Sequence, residues 1–337
     1  MWQNPTRINS SFHEGVAKTS DIIGSSASRT CNVGGIQRRF VLSTVGACAR
    51  LFTSVLSRTR VHNLQTLLDL VQSRPRDTPL VTVSNHMSTL DDPLMWGIKG
   101  LPMTNPKLSR WTLTAEDICF TNPLFSYFFR LGKCLPIRRG AGIYQPYMED
   151  ALDVINKGDW LHTFPEGKLS QEDGPMRRLK WGTASLIARA SLQPIVLPIA
   201  HSGFEKILPE NFMFGRRPFL PLPFKNITIV VGEPMVFDIP QLRRTAKAMT
   251  LTDAHRGSPN CKDKWNESVG KSFQDSNRVG FSSLSYDGAT GGSAGGTTTA
   301  SVEEKTMRWM YSHMSENLRC LLQELVVKAK QLNYVRV

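Results

Sequence analysis

Residues 81–93 read VTVSNHMSTLDDP, and the rest of the chain is arranged around them. Leu80, Val81, Thr82 and Val83 follow Pro79 as a β-branched run, which predicts a buried strand that stops at Ser84 and Asn85. The polar residues therefore stand at a strand end. His86 and Asp91 are separated by four residues, a gap that an irregular turn can close so that the carboxylate accepts one imidazole N–H. The other ring nitrogen is then free to act as a general base, the arrangement that deprotonates a hydroxyl attacking an acyl group. The same letters also fit a structural histidine beside a helix start, because Asp91 or Asp92 ahead of Pro93 makes a good N-cap.

Working outward, strand and helix patterns alternate. Residues 93–100 predict a short helix, 110–113 a strand, and 121–131 (TNPLFSYFFRL) an aromatic helix that serves either as core or as the wall of an acyl groove. Residues 132–137 predict a strand running into Arg138, Arg139 and Gly140. Residues 144–157 suit an amphipathic helix ended by Gly158, and 160–164 a strand leading to Pro165, Glu166, Gly167 and Lys168. A helix over 181–190 and strands over 194–200 and 226–231 complete the pattern. Elements of this length in alternation predict an α/β fold, a mostly parallel open sheet flanked by helices. Its polar residues should gather at one sheet edge, where ligands bind in such folds.

The flanks differ in character. Residues 1–35 are rich in Ser, Thr and Arg, with Glu14 and Asp21 as their acids, and fit either a mitochondrial targeting segment or a disordered tail. Residues 36–60 contain a helical pattern with Phe40, Val41, Thr44, Cys48, Leu51, Phe52 and Val55 on one side and arginines around it. Arg50 makes a membrane span costly, so the two readings are a helix in the membrane interface or an amphipathic helix packed on the domain. Residues 61–250 are expected to form the main domain. Residues 253–301, with their Gly, Ser and Thr content, are expected to be a disordered insertion. Residues 302–337 should close the domain with a helix carrying Met307, Met310, Met314, Leu318, Leu321, Leu322, Leu325 and Val326.

The chain has 337 residues, 41 Lys plus Arg against 28 acids, and a net charge of +13. That balance favours anionic partners such as phospholipid head groups or acyl carriers. Nucleic acid is disfavoured, since no zinc spacing, basic zipper or RNA-binding aromatic signature is present. The six cysteines form no CxxC pair, which argues against a metal site or a disulfide framework.

Three polar clusters thus fall at strand ends: Asn85, His86 and Asp91; Arg138 and Arg139; Glu166, Gly167 and Lys168. An arginine supplies fork-like donors for phosphate, and a glycine lets backbone amides approach an anion. Each cluster alone also reads as an ordinary surface pair or turn. Together NHMSTLDDP, GKCLPIRRG, FPEGK and IVLPI resemble, in order, the four blocks of the glycerolipid acyltransferase superfamily. SNHMSTLDDP, AEDICFTNP, LGKCLPIRRG, WLHTFPEGK and RLKWGTASLIA resemble the tafazzin family more closely, and HMSTLDDPLMWG and HTFPEGK its plant-like branch, which includes N-acylphosphatidylethanolamine synthases. The resemblance covers about residues 60–237. It implies a glycerol-3-phosphate acyltransferase-like fold, with His86 as general base, Asp91 as its orienting acid, and Arg139 with Glu166 and Gly167 at the lipid phosphate. Lys168 departs from the Thr or Ser of the wider superfamily and is similar to tafazzins, while Pro198 in the last block shapes the acyl pocket. Asn85 and Arg138 join the candidate substrate-binding set. The implied activity is interfacial acyl exchange between phospholipids and lysophospholipids, cardiolipin included, without cofactor or metal. Acyl-CoA is the alternative donor, and the amine of phosphatidylethanolamine the alternative acceptor. A non-enzymatic peripheral membrane protein is the remaining alternative. The implied location is a membrane surface, mitochondrial or else the plasma membrane or another endomembrane.

Overall fold

The computed structural model describes residues 35–102, 104–172, 174–255 and 296–334. In chain order its elements are α1 (Gly35–Leu51), continued by a π turn (Phe52–Leu56), β1 (Arg58–His62), α2 (Leu64–Gln72), β2 (Leu80–Ser84), α3 (Asp91–Met95) and β3 (Trp111–Ala115). Then come α4 (Glu116–Cys119), α5 (Pro123–Leu131), β4 (Cys134–Ile137), α6 (Pro146–Asn156), β5 (Trp160–Thr163), α7 (Gly182–Arg189), β6 (Ile195–Ser202), β7 (Asn226–Val231), α8 (Ile239–His255) and α9 (Gly296–Tyr334).

The strands form a seven-stranded sheet in the order β1-β7-β6-β2-β5-β3-β4. The quoted run is its central strand. Every β2 residue is buried, as a strand covered on both faces requires. Leu80 joins Trp160, Leu197, Ile199, Ile229 and Trp96 in the larger core cluster. On the other side of the sheet α6 packs on β5 and α7. Neighbouring strands run parallel except β7, which returns antiparallel beside β6. The carboxyl ends of β2, β5, β3 and β4 therefore share one edge, and it is there that the three polar clusters stand.

Two features depart from the sequence reading. Arg58 and Arg60 do not flank a helix reaching residue 60: the helical segment ends at Leu56, and both arginines lie in β1, paired with β7. β1 is an edge strand with alternating exposure, so its charged residues can face water and its sequence, RTRVH, shows no apolar run. The antiparallel β7 was likewise hidden, since strand direction depends on the connection and not on the strand's own residues.

α1 is clamped to the sheet's periphery. Thr53 Oγ1 lies 2.9 Å from Ala49 O and 3.0 Å from Gly97 O, and a Cβ on Gly97 would stand 2.5 Å from the Ala49 carbonyl. Gly97→Ala is thus expected to push α1 outward and destabilise the protein by about 1–3 kcal/mol. An unchanged urea midpoint would show that the clamp does not hold.

The chain divides into two compact units, Met1–Val236 with Met314–Val337, and Phe237–His313. Within the second, Arg243 and Lys247 both meet Glu303 at 3.5 Å. Of the insertion expected over 253–301, residues up to His255 are helical in α8 and those from Gly296 in α9. Residues 256–295 lie outside the described residues, as do 1–34 of the N-terminal segment. On α9, Met310, Met314, Leu318 and Leu322 are buried as the stripe predicts, while Leu321 is exposed.

Candidate active site

β2 delivers Ser84 and Asn85 to the sheet edge, and the chain then turns through His86 to α3. Asp91 opens that helix but does not cap it. Its Oδ2 reaches back to accept the N–H groups of Met87 at 2.6 Å, Ser88 at 2.8 Å and His86 Nδ1 at 3.0 Å. Asp92 turns instead to the Trp96 indole and to Arg110, which lies buried against it. Neither acid makes a side-chain cap, so the N-cap alternative fails on geometry. Because the Asp91 oxygen is an acceptor, His86 carries its proton on Nδ1. Among the described residues Nε2 has no hydrogen-bond partner, and the side chain remains 22% exposed.

The turn is braced from both neighbouring strands. On the β6 side, Asn85 Nδ2 donates to His201 O at 3.0 Å and Asn85 Oδ1 accepts from His201 N at 2.9 Å. His201 Nε2 sits 2.9 Å from Asn85 O and 3.6 Å from Asp91 Oδ2. The Asn85 amide is thus committed to the backbone and does not face solvent, which makes it a positioning residue. On the β5 side, Phe164 stacks on the His86 ring with centroids 4.1 Å apart, and Glu166 Oε1 accepts the His86 N–H at 3.0 Å. Ser170 N donates to His86 O, and Gln171 Nε2 to Met87 O at 2.7 Å. Gly167 adopts φ +72°, and a Cβ there would press on the Lys180 side chain at 3.1 Å. Lys168 is exposed. Glu166 is therefore buried beneath the histidine turn, with Oε1 committed to the His86 backbone.

Arg138 and Arg139 follow β4, three strand spacings or about 14 Å from β2. They share the sheet edge with His86 without touching it. Arg138 Nε donates to Glu116 Oε2 at 3.0 Å, and Arg139 pairs with Asp117; both arginines are largely exposed. These four residues with Phe120 and Thr121 line a hollow of about 490 Å³. The sequence reading missed Glu116, Asp117, Phe164, Gln171 and His201. The AEDICFTNP block contained the two acids, but an acid pair gains meaning only when the arginines are seen opposite.

Burial governs the charges here. It pushes His162 down to about 3, despite the opposing pull of Asp92. It also lowers His201, against the nearby carboxylates of Asp91 and Glu205. Burial raises Glu166, opposed by the His86 N–H. For Asp92 burial alone would raise the pKa, but Arg110 and His162 hold it below the usual carboxylate range. The candidate base is thus surrounded by histidines kept neutral.

A buried carboxylate orienting a half-exposed imidazole at the carboxyl end of a central strand is suited to acyl transfer. The Acyltransferase family signature spans residues 58–202, from β1 to the end of β6. Over 240 residues the chain is 56% identical to an N-acylphosphatidylethanolamine synthase of Arabidopsis thaliana, covering 71% of this chain and 84% of that protein. Over 198 residues it is 40% identical to a tafazzin of Drosophila melanogaster, covering 58% and 51% respectively. A tafazzin of Saccharomyces cerevisiae is 33% identical over 256 residues, covering 64% and 66%. Among solved structures, the 1-acyl-sn-glycerophosphate acyltransferase of Thermotoga maritima aligns at 18% identity with a TM-score of 0.42, over 74% of this chain and 85% of that one. The chain belongs to the Acyltransferase family and, within it, to the plant-like branch of the tafazzins. It is an enzyme of the acyltransferase class.

Proposed function

We propose that the protein moves an acyl chain from a membrane glycerophospholipid to the hydroxyl of a lysophospholipid, with His86 as general base. The observation that carries this reading is the His86 ring, tied at Nδ1 to Asp91 and open at Nε2. Nε2 takes the hydroxyl proton as that oxygen forms a bond to the acyl carbonyl carbon. The tetrahedral intermediate then expels the donor's oxygen, or the thiol of acyl-CoA, which receives the same proton from His86. The step is redox-neutral and regenerates neutral imidazole. Arg138 and Arg139 serve as donors to the lipid phosphate, exchanging exposed ion pairs that water already weakens.

A second reading has the amine of phosphatidylethanolamine as acceptor, giving an N-acyl product. The 56% identity to the Arabidopsis thaliana protein favours it. Purified protein given labelled phospholipid or labelled acyl-CoA with each acceptor, cardiolipin and its lyso form included, distinguishes the two by product class in mass spectrometry. O-acylated lipid is expected; N-acylated lipid alone would overturn the first reading.

The membrane surface is the proposed workplace. Among the described residues Gly35–Leu56 is the one helix long and apolar enough to cross a bilayer. Yet Arg38 is buried on the Trp111 ring, and Arg50 donates to Leu101 O at 3.1 Å, tethers that hold α1 against the domain. Its outward stripe is Ile36, Phe40, Thr44, Cys48, Leu51 and Val55, all exposed and uncharged. Leu124, Phe125 and Phe128 of the neighbouring α5 are exposed as well. These features support a helix lying in the interface. Leu51→Asp with Val55→Asp should lower binding to anionic vesicles at least tenfold in a flotation assay; undiminished binding would remove α1 from the contact. The organelle proposed is the mitochondrion, on the acid-poor N-terminal segment, and co-fractionation of the full chain with another membrane would sink that assignment.

A further inference from the structure

We infer that the hollow between the ends of β3 and β4 recognises a zwitterionic phospholipid head group, Arg138 and Arg139 taking the phosphodiester and Glu116 and Asp117 a primary ammonium. The inference rests on the reading above that these arginines bind lipid phosphate. The hollow's lining balances two cations against two carboxylates, already matched as Arg138 with Glu116 and Arg139 with Asp117. An anion entering alone would take the guanidinium groups and leave two carboxylates facing it without partners. A head group bearing both signs replaces each broken pair by a new one, and exposed pairs of this kind exchange at little cost.

The local scaffold suits such an exchange. Tyr147 Oη donates to Glu116 Oε1 at 2.8 Å, so that carboxylate keeps its direction when Arg138 leaves it. Gln145 Oε1 accepts the Arg138 N–H at 2.8 Å and its Nε2 donates to Arg138 O at 3.1 Å, holding the backbone while the guanidinium swings. Arg130 is engaged over the ring of Phe120, which lines the hollow, at 5.6 Å. Position gives the site a consequence for chemistry. Glu116 and Asp117 follow β3, two strands from β2, so an ammonium held there is an anchor, remote from His86 Nε2. The acyl acceptor at His86 is then the glycerol hydroxyl of the same lipid.

The test compares initial rates of the full-length protein on lysophosphatidylethanolamine and lysophosphatidic acid, presented in identical neutral vesicles with one labelled donor. Wild type should prefer the zwitterionic acceptor about tenfold, and the double variant Glu116→Gln, Asp117→Asn should bring that ratio near one. The ratio is internal to each preparation, so partial loss of folded protein does not move it. A wild type without preference, a double variant with the wild-type ratio, or a product acylated on nitrogen would each overturn the proposal. Arg139→Ala separates this from the reading beneath it: slowed turnover on both acceptors supports phosphate binding whatever the acids do. Wild-type rates for that variant on both would remove the phosphate site and the ammonium site together.

Discussion

His86→Ala should cut acyl transfer by about 10²- to 10⁴-fold, the usual contribution of a positioned general base. Loss of the ring removes Nε2, the dyad nitrogen that has no hydrogen-bond partner among the described residues, while Asp91 keeps the Met87 and Ser88 amides on Oδ2. Glu166 still accepts the residue's backbone N–H, so the turn retains its path. The loss should therefore fall on kcat rather than on lipid affinity, and vesicle binding should remain at the wild-type level because the exposed α1 stripe is untouched. His86→Gln, which can still donate toward Asp91 but cannot serve as a base, should be equally slow. Transfer within a few-fold of wild type in either variant would take His86 out of the chemistry.

The second large effect is on stability against pH. His162 lies under the dyad in full burial, with Nδ1 2.8 Å from Thr82 Oγ1 and Nε2 3.4 Å from Ser84 Oγ. Trp96 and Phe164 close over it edge-on. Its folded pKa, about 3, is below the 6.5 it has when unfolded. The unfolded chain therefore binds this proton first, and the contribution to stability is present above pH 6.5 and lost as pH falls toward 3. A shift of that size corresponds to on the order of 5 kcal/mol over the window. His201, buried and lowered in the same sense, adds to the slope. Urea unfolding followed from pH 7 to pH 4 should show stability declining steadily, and His162→Gln, which keeps two polar contacts without titrating, should flatten that decline. A variant whose stability falls as steeply as wild type would show that His162 does not carry the effect.

Much of this protein is legible along the chain. Elements whose residues meet the core on both faces, such as β2, or on one stripe, such as α6 and α9, declare themselves by period, because burial imposes the pattern directly. The His86 and Asp91 pair is equally plain, being five positions apart across one turn. β1 escaped because an edge strand tolerates charge on its open side, and β7's direction because nothing within a strand records which way its neighbour runs.

Tertiary structure alone decided what the polar residues face. Glu166 and Asn85 read as ligands for substrate, yet each is folded inward to hold the backbone of the histidine turn. Arg138 and Arg139 read as donors for phosphate or as a solvated pair, yet each is matched by an acid of α4, just past the end of the neighbouring strand β3 and twenty-two positions earlier. The chain by itself determined which groups stand at strand ends, because hydrophobic periodicity sets where a strand must stop. Which of them meet was settled by strand order, a property of how the sheet is assembled and of no single segment.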